Sequence, residues 1–202
     1  PDAQEPREKI VNNVLTEANV SHFINILIYA LNGFLLLYFL SMVLRGYSFG
    51  LPLIITILFI VHPIHTEVVN NIKSSDDLLM IVFLLWALIE CLRFGSDGLK
   101  KRLWGIGVLA LMAFLSKMSS LAFFGLIPVL LYFTKTPVKR ILMAVGAVVI
   151  SLAIVLLLRV AIPGEEFRIF QYFENPLFVD DSFIARIGIG CYSAFVYLQL
   201  LI

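Results

Sequence analysis

Long apolar blocks alternate with short polar connections along this chain. Residues 1–22 are polar and carry Pro1 and Pro6. From Arg7 to Ala18, the apolar positions Ile10, Val11, Val14, Leu15 and Ala18 share one helical face. That pattern suits a short helix on a membrane surface as well as it suits a solvated leader. About seven apolar blocks follow. Phe23–Leu44 is long enough to cross a bilayer, whose core takes about 20 helical residues. The second block starts near Phe49 and ends at Val61, and the third is Leu78–Phe94. Leu103–Leu115 and Leu121–Phe133 are short and meet at Ser116-Lys117-Met118-Ser119-Ser120. They form either a hairpin of thin helices or a broken pair that does not cross fully. The sixth block is Lys139–Ile162, and the seventh opens at Arg186.

The pattern predicts an all-α fold: a polytopic transmembrane helical bundle with about seven membrane segments. Residues 1–22 would form an outer-side leader and residues 23–202 a multi-pass membrane domain. Composition agrees, with 60% apolar and 14% charged residues, against about 45–50% and about 25% in soluble domains. Cys91 and Cys191 lie inside apolar blocks and read as reduced packing residues. The chain starts at Pro1 without a Met and stops at Ile202 inside an apolar run, as a piece of a longer membrane protein would.

Charge sets the expected orientation. Numbered alternately, one set of connections carries Arg45, then Arg93, Lys100, Lys101 and Arg102, then Lys135, Lys139 and Arg140. These short basic connections should face the cytoplasm. The opposite set carries Lys73, Lys117, Arg159, Arg168 and Arg186, besides Arg7 and Lys9 in the leader. It also holds an acidic loop, Pro163–Ala185, with Glu165, Glu166, Glu174, Asp180 and Asp181. The net charge of +1 gives no reason to expect a nucleic-acid partner.

The densest ionisable stretch, His62–Asp77, falls on the outer side. Ionisable groups close to lipid are costly, so the cluster is a candidate functional site. His62 and His65 are three apart and would share a helical face, with Glu67 two residues on. They can be read as the start of a zinc site, whose remaining ligands the spacing does not define. They can also be read as loop-organising side chains held by hydrogen bonds. Glu67, Asp76 and Asp77 are candidate catalytic carboxylates, as a base or as oxygen ligands for a divalent cation such as Mg or Mn. Asp76 and Asp77 also precede Leu78, where an Asp caps a helix N-terminus. Lys73 and Lys117 are candidate phosphate-binding cations. Lys117 lies between two short apolar blocks and needs a carboxylate or phosphate partner unless it snorkels. Glu90 and Arg93, three apart at the inner end of the third block, read as an interfacial ion pair. The sequence holds no Gly-rich phosphate loop, nucleophile elbow, Cys-pair metal motif or HExxH.

The stretch His62-Pro63-Ile64-His65-Thr66-Glu67, followed by Lys73-Ser74-Ser75-Asp76-Asp77-Leu78-Leu79, resembles a signature of the transmembrane-and-tetratricopeptide-repeat O-mannosyltransferases and their bacterial relatives. Three other stretches are similar to that family in the same order. They are His22-Phe23-Ile24-Asn25 at a helix opening, Leu115-Ser116-Lys117 at a turn, and Asn175-Pro176-Leu177 with the later Arg186 and Tyr197-Leu198-Gln199. The resemblance covers about residues 21–202. It implies a C-type glycosyltransferase, with a sugar moved from a polyprenyl-phosphate donor to a protein or glycan acceptor outside the cytoplasm. A bacterial cell membrane is the location it implies. Lys73 and Lys117 would then receive the phosphate, and Glu67, Asp76 and Asp77 would be supporting carboxylates. The main base of such enzymes sits in a first outer loop, whose acidic pattern Asp2, Glu5, Glu8 and Glu17 do not reproduce. Ser75 stands where the family usually has Arg, and Met118 where it has Glu. A lipid-linked-sugar transporter and a non-catalytic membrane scaffold are the rival expectations.

Overall fold

The computed structural model describes the backbone of residues 5–161 and 182–199, and side chains from residue 19 onward. The described residues contain helices and no strand. In order these are α1 (Glu5–Val43), α2 (Gly50–Val61), α3 (His65–Asn70), α4 (Ser75–Asp97), α5 (Lys101–Ser116), α6 (Ser120–Phe124), α7 (Leu126–Phe133), α8 (Val138–Ala161) and α9 (Phe183–Gln199). A 3-10 turn, Ile72–Ser74, links α3 to α4. The chain divides into two units, Pro1–Leu158 and Arg159–Ile202. The long acidic loop expected after α8 falls mainly on residues 162–181, outside the described residues.

Three helical stretches are long and apolar enough to cross a membrane: Asn19–Val43, Ser75–Asp97 and Val138–Ala161. The first belongs to a longer helix, so the expected boundary after residue 22 falls within α1. At 12 residues α2 is shorter than these, reaching roughly 18 Å against a core of about 30 Å. The block Leu121–Phe133 is divided at Gly125 into α6 and α7. Composition therefore signalled more apolar blocks than the described helices have full-length spans.

The first unit is organised around α4. In its most apolar window 61% of residues are buried, against 11% for α1 and 28% for α8. Apolar on every side, α4 can be covered all round by protein. It packs against α1 and α5 along its length and against α7 near its C-terminal end. The core joins Leu84, Ala87, Leu88, Cys91 and Phe94 of α4 to Ile106, Ala110 and Phe114 of α5, with Ile127, Leu131, Ala144 and Val148 from α7 and α8. Ser151 of α8 donates to the Gly107 carbonyl at 2.7 Å, tying α8 to α5. In the second unit, α9 exposes Phe183, Ile187, Tyr192 and Phe195.

The C-terminal end of α4 carries a charge network. Arg93 donates to Glu90 at 2.7 Å, the pair that their spacing predicted, and to the Tyr38 hydroxyl at 2.8 Å. Arg102 adds a second bond to Glu90 at 2.8 Å and one to Asp97 at 2.7 Å. Gly98, at φ 68°, closes α4 in the left-handed conformation that glycine adopts without a Cβ penalty. Arg140 donates to the Gly95 and Ser96 carbonyls at 2.7 and 3.2 Å, satisfying acceptors at the helix end.

In lipid, apolar side chains gain little from leaving their surroundings, so close packing and interhelical hydrogen bonds hold helices together. Gly95 is one close approach: a Cβ there would lie 2.6 Å from Thr136 Oγ1 and 3.1 Å from Leu131 Cδ2. Gly95→Ala is expected to destabilise by roughly 1–3 kcal/mol through overpacking. Gly146→Ala, with nothing within 4 Å of the added Cβ, should be neutral or stabilising. Thermal unfolding followed by circular dichroism in detergent checks both, and equal effects would contradict the packing argument.

Candidate functional site

The polar stretch between α2 and α4 is held by one face of α1. His22, Asn25, Tyr29 and Asn32 follow the 3-4-3 spacing that places side chains in a row along a helix. Each meets a backbone carbonyl of another segment. His22 Nδ1 lies 3.2 Å from the Val69 oxygen, a bond that needs the Nδ1–H form. The fully buried Asn25 donates to the Val69 and Asn71 carbonyls at 3.4 and 3.2 Å, and its Oδ1 accepts from Ser75 Oγ at 2.7 Å. Tyr29 donates to the Ile60 carbonyl at 2.9 Å, near the end of α2. Asn32 donates to the Leu78 carbonyl at 3.0 Å, in the first turns of α4. Sequence reasoning quoted His22 and Asn25 only as part of a motif, and did not single out Tyr29 or Asn32. The 3-4-3 run of polar residues in an apolar helix was the available signal.

The two candidate histidines sit at the turn into this stretch, but they do not share a helical face. Pro63 follows His62, which ends α2 with an extended backbone (ψ 127°), and His65 opens α3. His62 Nδ1 accepts from the Ile64 N–H at 3.2 Å. The His65 ring packs on Phe59 at 4.3 Å between centroids, with Tyr29 at 5.9 Å and His62 at 6.1 Å. The contacts of both histidines are thus made with the turn itself, with Tyr29 of α1 and with the end of α2. Burial, then the neighbouring His62, lowers the pKa of His65 from its ordinary value. Among the described residues no three His, Cys, Asp or Glu side chains converge as a metal site.

Asp76, Asp77 and Lys117 are brought together. Residue 117 ends α5 and residues 76 and 77 begin α4, so the packing of these two helices places the groups side by side. Lys117 Nζ lies 2.6 Å from both Asp77 oxygens and 3.7 Å from Asp76 Oδ2. The Asp77 hydrogen bond is the main cause raising the Lys117 pKa, so the ammonium stays charged. The carboxylates do not cap α4 as expected, because the helix already starts at Ser75, with Ser74 at the cap position. Instead both lie in its first turn, where negative charge offsets the dipole. Asp76 Oδ1 accepts from the Asp77 N–H at 2.9 Å. In this arrangement Lys117 takes up both oxygens of Asp77.

Glu67 and Lys73 are exposed and join no ion pair among the described residues. The Lys73 backbone N–H donates to Asn71 Oδ1 at 3.0 Å, which shapes the turn that carries it. The end of the helices thus presents a bound ammonium, a free ammonium and three carboxylates. Compared with protein-family profiles, curated proteins and solved structures, the chain matches none.

Asn25→Ala should remove its bonds to the Val69 and Asn71 carbonyls and to the Ser75 hydroxyl and destabilise by roughly 1–3 kcal/mol. Faster amide exchange over residues 66–75 is the expected local signature, and unchanged exchange would contradict the clamp. His65 should titrate below about 6.5, the value of an unperturbed imidazole. Its depressed pKa means the folded state resists protonation. The contribution to stability is full above about pH 6.5 and is lost as pH falls through that window. A histidine NMR titration with a His65 midpoint above that of a free imidazole would refute the burial argument.

Proposed function

We propose that the chain belongs to an integral-membrane glycosyltransferase that moves a sugar, mannose being the candidate, from a polyprenyl-phosphate donor to an acceptor outside the cytoplasm. In this reading the helices form part of a C-type architecture of about seven membrane segments in a bacterial cell membrane. The supporting observation is the Lys117 ammonium, held by Asp77 at 2.6 Å and still partly exposed. Asp77 takes up part of its three N–H donors and Asp76 Oδ2 lies 3.7 Å away, which leaves the exposed side of the ammonium to meet a phosphate oxygen. Lys73 would supply a second cation. Together they would stabilise the charge that develops on the phosphate as the sugar leaves. Asp77 positions and charges Lys117, while Asp76 and Glu67 shape the field around it. The base that accepts the acceptor's proton would come from a first outer loop, upstream of Phe23.

The same ion pair favours one rival, a scaffold in which Lys117 only neutralises Asp77. Double-mutant logic separates the two. Full-length protein in detergent, given a labelled polyprenyl-phosphate sugar, should release polyprenyl phosphate. Lys117→Met should lower the rate by roughly 100-fold, as loss of a charge-stabilising donor does. If Lys117 contacts phosphate, adding Asp77→Asn will not restore the rate. Restoration in the double variant would favour the scaffold. Donor movement across liposomes without sugar transfer would favour a transporter.

A further inference from the structure

At the opposite end of the helices from Lys117, a cleft of about 430 Å³ opens between the end of α1, the last turns of α4 and the turn from α7 to α8. Its walls carry Arg45, Arg93 and Lys135, with Asp97 and the hydroxyls of Thr134 and Thr136. The carboxylates close to it are already engaged. Glu90 binds Arg93 and Arg102, and Asp97 binds Arg102. Arg45 and Lys135 are exposed and join no ion pair among the described residues. Arg93 uses two of its N–H groups on Glu90 and Tyr38, leaving others for a ligand.

Backbone geometry adds an independent observation. The end of α7 closes with bonds from Lys135 N to the Tyr132 carbonyl at 3.0 Å and from Thr136 N to the Leu131 carbonyl at 3.0 Å. This is a Schellman turn, whose left-handed position is ordinarily Gly or Asn. Here it is Lys135, at φ 57°. The chain uses glycine at the equivalent position of α4, Gly98. A lysine in this strained position projects a charge from a turn held by two backbone bonds. Thr134 donates to the Leu131 carbonyl at 3.0 Å, and Thr136 Oγ1 lies 3.2 Å from Thr134 Oγ1. Gly95 lets this turn sit directly against α4.

We infer that this cleft binds a phosphate-bearing anion through Arg45, Arg93 and Lys135. The guanidinium fork and the hydroxyls match phosphate oxygens, and the surplus of cations makes an anion the favoured occupant. The basic connections place this end on the cytoplasmic side, where anionic lipid headgroups gather in basic pockets between membrane helices. The same chemistry would take a free phosphate from solution.

The full chain, purified in neutral detergent, is tested by native mass spectrometry for retention of phosphatidylglycerol against phosphatidylcholine, with and without inorganic phosphate. Preferential retention of phosphatidylglycerol is expected, with at least about a tenfold loss in Arg45→Gln/Lys135→Gln, as removal of charge-assisted bonds implies. Lys135→Gly removes one charge while relieving the left-handed backbone, so its melting temperature should not fall while retention still drops. Phosphatidylglycerol held despite inorganic phosphate identifies a lipid headgroup site, and its displacement identifies a free-phosphate site. Equal retention of the two lipids, or undiminished retention in a folded Lys135→Gly protein, overturns the inference.

Discussion

A polar segment at the end of membrane helices must find partners for its backbone groups, and α1 supplies them. An unpaired carbonyl at that depth costs several kcal/mol. His22, Asn25, Tyr29 and Asn32 reach one after another to the carbonyls of Val69, Asn71, Ile60 and Leu78. Four polar side chains in the apolar Asn19–Val43 stretch of α1 therefore fix the end of α2, the turn after α3 and the start of α4. Ser75 is part of that clamp, because its hydroxyl donates to Asn25.

From that clamp the charged groups at both ends follow. With its start fixed, α4 runs 23 residues, roughly 34 Å at 1.5 Å per residue, slightly more than a bilayer core of about 30 Å. Asp76 and Asp77 emerge at one end, Glu90, Arg93 and Asp97 toward the other. Since α5 returns along α4, Lys117 meets the first pair and Arg102 meets the second set. The two ends differ in balance. At the N-terminal end of α4 Lys117 is held between carboxylates, whereas at its C-terminal end Arg45 and Lys135 join no ion pair among the described residues.

Much of this was legible in the order of residues, and some was not. The spacing of Glu90 and Arg93 predicted their ion pair, because residues three apart on a helix are neighbours whatever surrounds them. The same rule failed for His62 and His65, because Pro63 and the end of α2 break the helix between them. Lys117 was known to need a partner. That the partner is Asp77, forty residues earlier, depends on how two helices pack. The assignment of Asp76 and Asp77 to a cap missed by one turn, since α4 starts at Ser75 rather than at the first apolar residue.

Apolar block length and the bias of Lys and Arg were enough to predict a helical chain with stretches long and apolar enough to cross a membrane and a basic end. Both are local or additive properties, summed along the chain without regard to partners. Among the described residues three stretches are long and apolar enough to cross; hydropathy counts residues and does not see a break such as Gly125. Only the packed structure decided that α4 is central, that α1 faces it with a row of polar side chains, and which charge answers which. Those outcomes rest on pairs of residues far apart in the chain, from Arg102 and Glu90 at 12 positions to Arg93 and Tyr38 at 55, and such pairs form only when the helices pack together.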